Sequence, residues 1–93
     1  MRIAQVIGTV TLNRVHPTLS GARLKLVVPL SLDDLRTGRE PRAEELVVYD
    51  DFGAGLGSRL LLSEGPEAAQ AFYPDQKPVD AYNAGLLDRV DIP

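Results

Sequence analysis

The sequence predicts a mainly β chain, a small five-stranded barrel with one short α-helix between the fourth and fifth strands. Three observations carry that expectation. Apolar and polar residues alternate with period two through the first third of the chain. Two nearly continuous apolar runs flank a glycine-rich loop in the middle, as strands covered on both faces do. One alanine-rich segment, opened by Gly65-Pro66, has the composition of a helix. At 93 residues the chain is expected to be one domain spanning 1–93. A domain of this size buries only about 60–65% of the surface its unfolded chain exposes. With no cysteine, neither disulfides nor thiolate metal sites can add support, so oligomerisation is one of the remaining ways to stabilise it.

The first strand is read from Ala4, Val6, Gly8, Val10 and Leu12, whose even parity predicts an inward face. Ile3 and Ile7 lie on the other face, either as scattered exposed residues or as part of a second buried surface. Turn formers then interrupt at Asn13-Arg14-Val15-His16-Pro17-Thr18-Leu19-Ser20-Gly21. Alternation resumes at Leu24, Leu26, Val28 and Leu30, which predicts a second strand antiparallel to the first, with Arg23 and Lys25 facing away and Pro29 near a strand end. Arg14, Arg23 and Lys25 form at most a modest basic patch, and a solvated strand face is the simpler reading. Ser31 is placed to cap a helical turn through Leu35, and the charged, Gly- and Pro-punctuated residues 36–42 read as an exposed loop.

Glu45-Leu46-Val47-Val48-Tyr49 is the third strand and residues 58–63 the fourth. Between them lies Asp50-Asp51-Phe52-Gly53-Ala54-Gly55-Leu56-Gly57, around which the chain is organised. Glycine tolerates positive φ and close backbone approach, so this composition predicts a shaped backbone with little projecting from it. Asp50 and Asp51 are the expected anchors, accepting hydrogen bonds from nearby amides. A phosphate cradle is excluded, because no Lys-Ser/Thr pair and no long helix follows. An ordinary tight loop, a subunit contact and the rim of an opening remain.

The helix is expected from Gly65 through Phe72, with Pro66 in its first turn and Glu67 complementing the dipole. Its alanines suit packing against a sheet or against a neighbour. Lys77-Pro78-Val79-Asp80 reads as an extended connector, Asp80 capping a short turn through Tyr82. Ala84, Leu86, Asp88, Val90 and Ile92 are then taken as one face of the last strand, with Asp88 interrupting it.

The function classes narrow from composition. A net charge of −3 argues against neutralising a nucleic-acid backbone. The N-terminus lacks the apolar run of a signal peptide or membrane span, so a cytoplasmic protein with no membrane partner is the default expectation. His16 has no ligand set near it in sequence and reads as an ordinary loop histidine. Asp88 lacks a second acid, base or metal to make it catalytic. No catalytic, cofactor-binding or metal-ligating residue is therefore assigned. Five strands with this helix placement suggest a barrel of the oligonucleotide/oligosaccharide-binding type, and a binding module for single-stranded nucleic acid or another polymer is the alternative reading. Against it, the five aromatics do not alternate with basic residues along a strand.

Six segments in order resemble one family. They are Arg2-Ile3-Ala4-Gln5-Val6-Ile7-Gly8-Thr9-Val10, Thr18-Leu19-Ser20-Gly21, Asp50-Asp51-Phe52-Gly53-Ala54-Gly55, Leu62-Ser63-Glu64-Gly65, Lys77-Pro78-Val79-Asp80-Ala81 and Leu86-Leu87-Asp88-Arg89-Val90. Together they are similar to the EutN/CcmL family, the pentameric vertex proteins of bacterial microcompartment shells. The resemblance implies a short β-barrel that assembles as a homopentamer, meets hexameric or trimeric shell proteins, resides in the shell, uses no cofactor and catalyses nothing. It also implies that the loop Gly53, Ala54 and Gly55 lies near the fivefold axis as a pore or subunit-contact element. The helix start Gly65-Pro66-Glu67-Ala68-Ala69 departs from the family's common Gly-Ser-Ala-Ala-Arg, so no arginine contact carries over there.

Overall fold

Five strands and two short helices follow one another as β1 (Arg2–Val10), β2 (Leu24–Pro29), α1 (Leu32–Thr37), β3 (Leu46–Tyr49), β4 (Arg59–Glu64), α2 (Pro66–Ala69) and β5 (Ala81–Leu86). The computed structural model describes all 93 residues. The strands close into a barrel in the order β1-β2-β3-β5-β4, antiparallel except for the β3–β5 pair. A five-stranded barrel is narrow, so small and branched side chains fill it. Its core is Ala4, Val6, Val27, Val48, Ala54, Leu60, Leu62 and Ala81, with Leu46 packed against them.

Register decides which face each residue takes, and here the alternation read from sequence needs two corrections. In β1 the pairing runs Val6 with Val27 and then Gly8 with Leu26, so one extra residue sits in β1 at Ile7. Such a bulge exchanges the two faces of the strand beyond it. Ala4 and Val6 point inward as expected, but Gly8 shares the outer face with Leu26, whose Cβ lies 3.6 Å from where a Gly8 Cβ would sit. In β2 the inward residue is Val27, the partner of Val6 ahead of the bulge, not the Leu24, Leu26 and Val28 series, and Lys25 falls on the inner side at the barrel end.

The last strand is the second correction. It occupies Ala81–Leu86, not residues 84–92, so Asp80 does not cap a turn and Asp88 lies beyond the strand, exposed. Its inward residues are Ala81 and the polar Asn83. Pattern reading rejects an asparagine as a core residue, and a second irregularity opposite Leu61 and Leu62 shifts the parity again.

The helices serve the barrel ends and outer face. Ser31 Oγ accepts from the Asp34 amide at 3.1 Å while Asp34 Oδ2 accepts from the Ser31 amide at 2.9 Å, a reciprocal cap, and Gly38 at φ 70° ends α1. The following loop is not merely solvated, because Arg39 Nε donates to the buried Asp34 carboxylate at 2.7 Å. The expected helix at 65–72 is α2 followed by a 3-10 turn, Gln70–Phe72. Ala68 is fully buried against the chain's own β4 and β5. Phe72 packs edge-on to Tyr49 and Tyr82 at 4.7 and 5.4 Å between ring centroids, so this turn covers part of the barrel's outer wall. Val47, by contrast, remains on an uncovered part of that wall.

Candidate functional site

Asp50, the residue after β3, is completely buried, and three donors converge on it. Its Oδ1 accepts from the Phe52 amide and from Asn83 Nδ2, both at 3.0 Å, and its Oδ2 accepts from the Ala54 amide at 2.7 Å. Asn83 Oδ1 in turn accepts from the Gly85 amide at 3.0 Å, so the knot ties the 50–57 loop to β5. The Asp50 amide donates to the carbonyl of Arg23, the residue before β2, at 2.9 Å. A buried carboxylate that accepts three hydrogen bonds, through both of its oxygens, holds a loop far more firmly than an exposed turn residue.

The loop's other end is stitched to β1. The Gly57 amide donates to the Val6 carbonyl and the Val6 amide to the Ser58 carbonyl, both at 2.9 Å. Gly53 and Gly57 sit at φ 73° and 84°, which only glycine adopts readily. Gly55 has no such restriction, and a Cβ there would meet only Ser58 Oγ at 3.8 Å.

Of the residues expected at this site, Asp50 anchors the loop's amides and Asp51 does not. Asp51 is exposed; its carboxylate accepts from Tyr82 Oη at 3.1 Å and its carbonyl from Arg23 Nη2 at 3.2 Å. Gly53 and Gly55 are exposed, but Ala54 is 2% exposed and its methyl belongs to the barrel core. Asn83 escaped notice in the sequence, since nothing local marks it as the partner of a residue 33 positions away. Phe52 and Leu56 stand 53% and 80% exposed on the loop, a placement that their apolar character does not predict.

Burial alone pushes the Asp50 carboxyl up, but the hydrogen bonds from Asn83, Phe52 and Ala54, with the charge of Lys25, outweigh it and hold it below the ordinary value. Arg39 first, then the Ser31 amide, lower the Asp34 carboxyl likewise. Groups depressed in the folded state add stability that is present above their unfolded value, about pH 4, and lost as pH falls through the lower folded values. The unfolding midpoint should therefore fall steeply below about pH 4, and less steeply in Asp50→Asn. Thermal melts across that range check it; equal acid slopes in the two proteins would remove Asp50 as an ionised anchor.

The remaining candidates lie apart. His16 Nδ1 accepts from the Thr18 amide at 3.2 Å, capping a 3-10 turn, and no group of His, Asp or Glu converges as metal ligands would. Tyr49, Phe72 and Tyr82 are occupied with one another, leaving only Phe52 and Tyr73 exposed. Two separate rings make no stacking track for single-stranded nucleic acid. No helix is long and apolar enough to cross a membrane.

These features define a class: a small closed five-stranded barrel whose distinctive element is a rigidly pinned, glycine-rich surface loop. Residues 1–88 match the profile of the family described as ethanolamine utilisation protein EutN/carboxysome. The chain belongs to the EutN/CcmL family. It is 33% identical over 88 residues to the bacterial microcompartment shell vertex protein PduN of Salmonella typhimurium, covering 95% of this chain and 96% of PduN. It is 34% identical over 92 residues to the carboxysome shell vertex protein CcmL of Gloeobacter violaceus, covering 99% and 87% of the two chains. Its fold superimposes on the GrpN pentameric microcompartment shell protein from Rhodospirillum rubrum with a TM-score of 0.81, at 32% identity over 99% of each chain. These relatives are structural shell vertex proteins and not enzymes.

Proposed function

We propose that five copies of this chain close a ring that caps a fivefold vertex of a bacterial microcompartment shell, where sheets of hexameric or trimeric shell proteins meet. The observation that carries this reading is the end-to-end agreement in fold with a pentameric shell protein, with neither chain leaving a substantial segment unmatched. A small barrel with uncovered apolar wall residues such as Val47 and Ile7 gains the missing cover from neighbours in such a ring.

Within the ring, the loop of Gly53, Ala54 and Gly55 lies at the axis. Two exposed glycines on a backbone pinned from below by Asp50 offer the close approach that five converging copies require. The Ala54 methyl, directed into the core, lines nothing. Any central opening is then bounded by backbone at Gly53 and Gly55.

Light scattering coupled to size exclusion tests the assembly: a native mass near five times 10.1 kDa is expected, and a concentration-independent monomer overturns the ring. Co-expression with hexameric shell proteins then tests closure of shells. Gly55→Trp tests the axial placement separately. The site has room for a side chain on the isolated subunit, so Gly55→Trp should fold, with a melt of undiminished cooperativity, yet fail to close the ring. A Gly55→Trp pentamer of normal mass would move the loop away from the axis.

A further inference from the structure

We infer that the ring is closed by a socket and an acid-tipped segment on opposite walls of the barrel: the cleft of the β1–β2 arm on one copy receives the end of β5 from the next, with Arg14 pairing Asp88. The inference rests on the pentameric reading and adds the surfaces that meet.

A head-to-tail ring needs two different patches on one chain, facing different ways. In the closed strand order β1-β2-β3-β5-β4, β5 adjoins β3 and β4 and lies across the barrel from the β1–β2 pair. On the β1–β2 side, beyond the bulge, the strands continue as an arm holding a cleft of about 400 Å³ walled by Leu12, Val15, Leu19 and Leu24. Leu12 and Val15 are 45% and 41% exposed, so this apolar floor is uncovered within the subunit. Its charged walls are Arg23 and Lys25, and no carboxylate lines it; Arg14 lies outside the lining, next in sequence to its wall residue Val15.

On the opposite wall, β5 ends at Leu86, half exposed, and runs on to Asp88. The Leu87 amide donates to the Arg59 carbonyl at 2.9 Å, which holds the segment in place against β4. Asp88 and Arg14 are both exposed, and neither has a hydrogen-bond or ion-pair partner in its own chain. An uncovered apolar residue beside a free acid on one wall thus complements an apolar cleft, basic through Arg23 and Lys25, with the free base Arg14 next to its rim on the other. Charge and apolar surface match between copies, and so the occupant is a second copy of this chain.

The test is a charge exchange. Both side chains are exposed and unpartnered, so Asp88→Lys and Arg14→Glu should melt as the wild type does when dissociated. Each alone places like charges at all five junctions and should raise the concentration for half-assembly about tenfold or more, and the double variant should return it towards the wild-type value. The single-variant defects should shrink at high salt. A wild-type protein that is not pentameric overturns the ring itself. A pentameric wild type whose single variants assemble normally overturns only this pairing and leaves the cleft to a flanking shell protein. Single-variant defects that the double does not relieve also overturn the direct contact.

Discussion

Asp50→Leu should destabilise the subunit by about 3–5 kcal/mol, since removing one member of a buried, hydrogen-bonded charge network strands its partners. The Ala54 amide and Asn83 Nδ2 would be left buried without an acceptor, and the Phe52 amide would lose its own. Leucine fills the space, so water cannot enter to satisfy them as it could beside an alanine. A marginal barrel of this length has little reserve against such a loss. Chemical denaturation at fixed protein concentration reads the effect, because ring assembly would otherwise shift the apparent midpoint. An unchanged midpoint would mean that the loop is held by its β1 stitches alone.

Ala54→Trp should prevent the barrel from forming, at a cost beyond about 3 kcal/mol, the upper end for ordinary overpacking of a core. From the sequence, Ala54 is expected to line the axis, so that a tryptophan there would block ring closure while the subunit still folded. Its position among Val6, Val27, Val48, Leu60 and Leu62 changes the expectation: an indole cannot enter a five-stranded interior without displacing a strand. Circular dichroism and solubility distinguish the two. A folded, soluble monomer of Ala54→Trp would return that methyl to the surface; an unfolded or insoluble chain is expected. Gly55→Trp, one residue on, is the probe that spares the core.

The elements themselves were largely legible. Each leaves a local trace: the period of two in residues 4–12 and 24–30, the Ser31 cap three residues before Asp34, and the proline at the start of α2. Faces were less so. Up to Val6 the alternation of β1 points correctly, but one extra residue at Ile7 turns the rest of the strand over, while β2 carries apolar residues on both parities and so does not declare its inward face. Nothing in a single strand reveals a bulge, because it is a mismatch between two. β5 was displaced for a related reason. Its core-facing Asn83 looks like a surface residue until Asp50 is brought to 3.0 Å, while Leu86, Val90 and Ile92 supply an apolar series that the barrel does not use as a strand.

The candidate site divides in the same way. Glycines at 53, 55 and 57 beside two aspartates marked a shaped, anchored loop, because φ preference and side-chain acceptors are properties of the residues themselves. Family membership was also legible, in six short segments whose order and spacing survive in one dimension. What the tertiary structure decided is which aspartate does the anchoring, what it binds and which way Ala54 points. Those depend on β2, β3 and β5 meeting at one end of a closed barrel. A hydrogen bond between residues 50 and 83, and a methyl buried by strands from four parts of the chain, exist only once closure has brought them together.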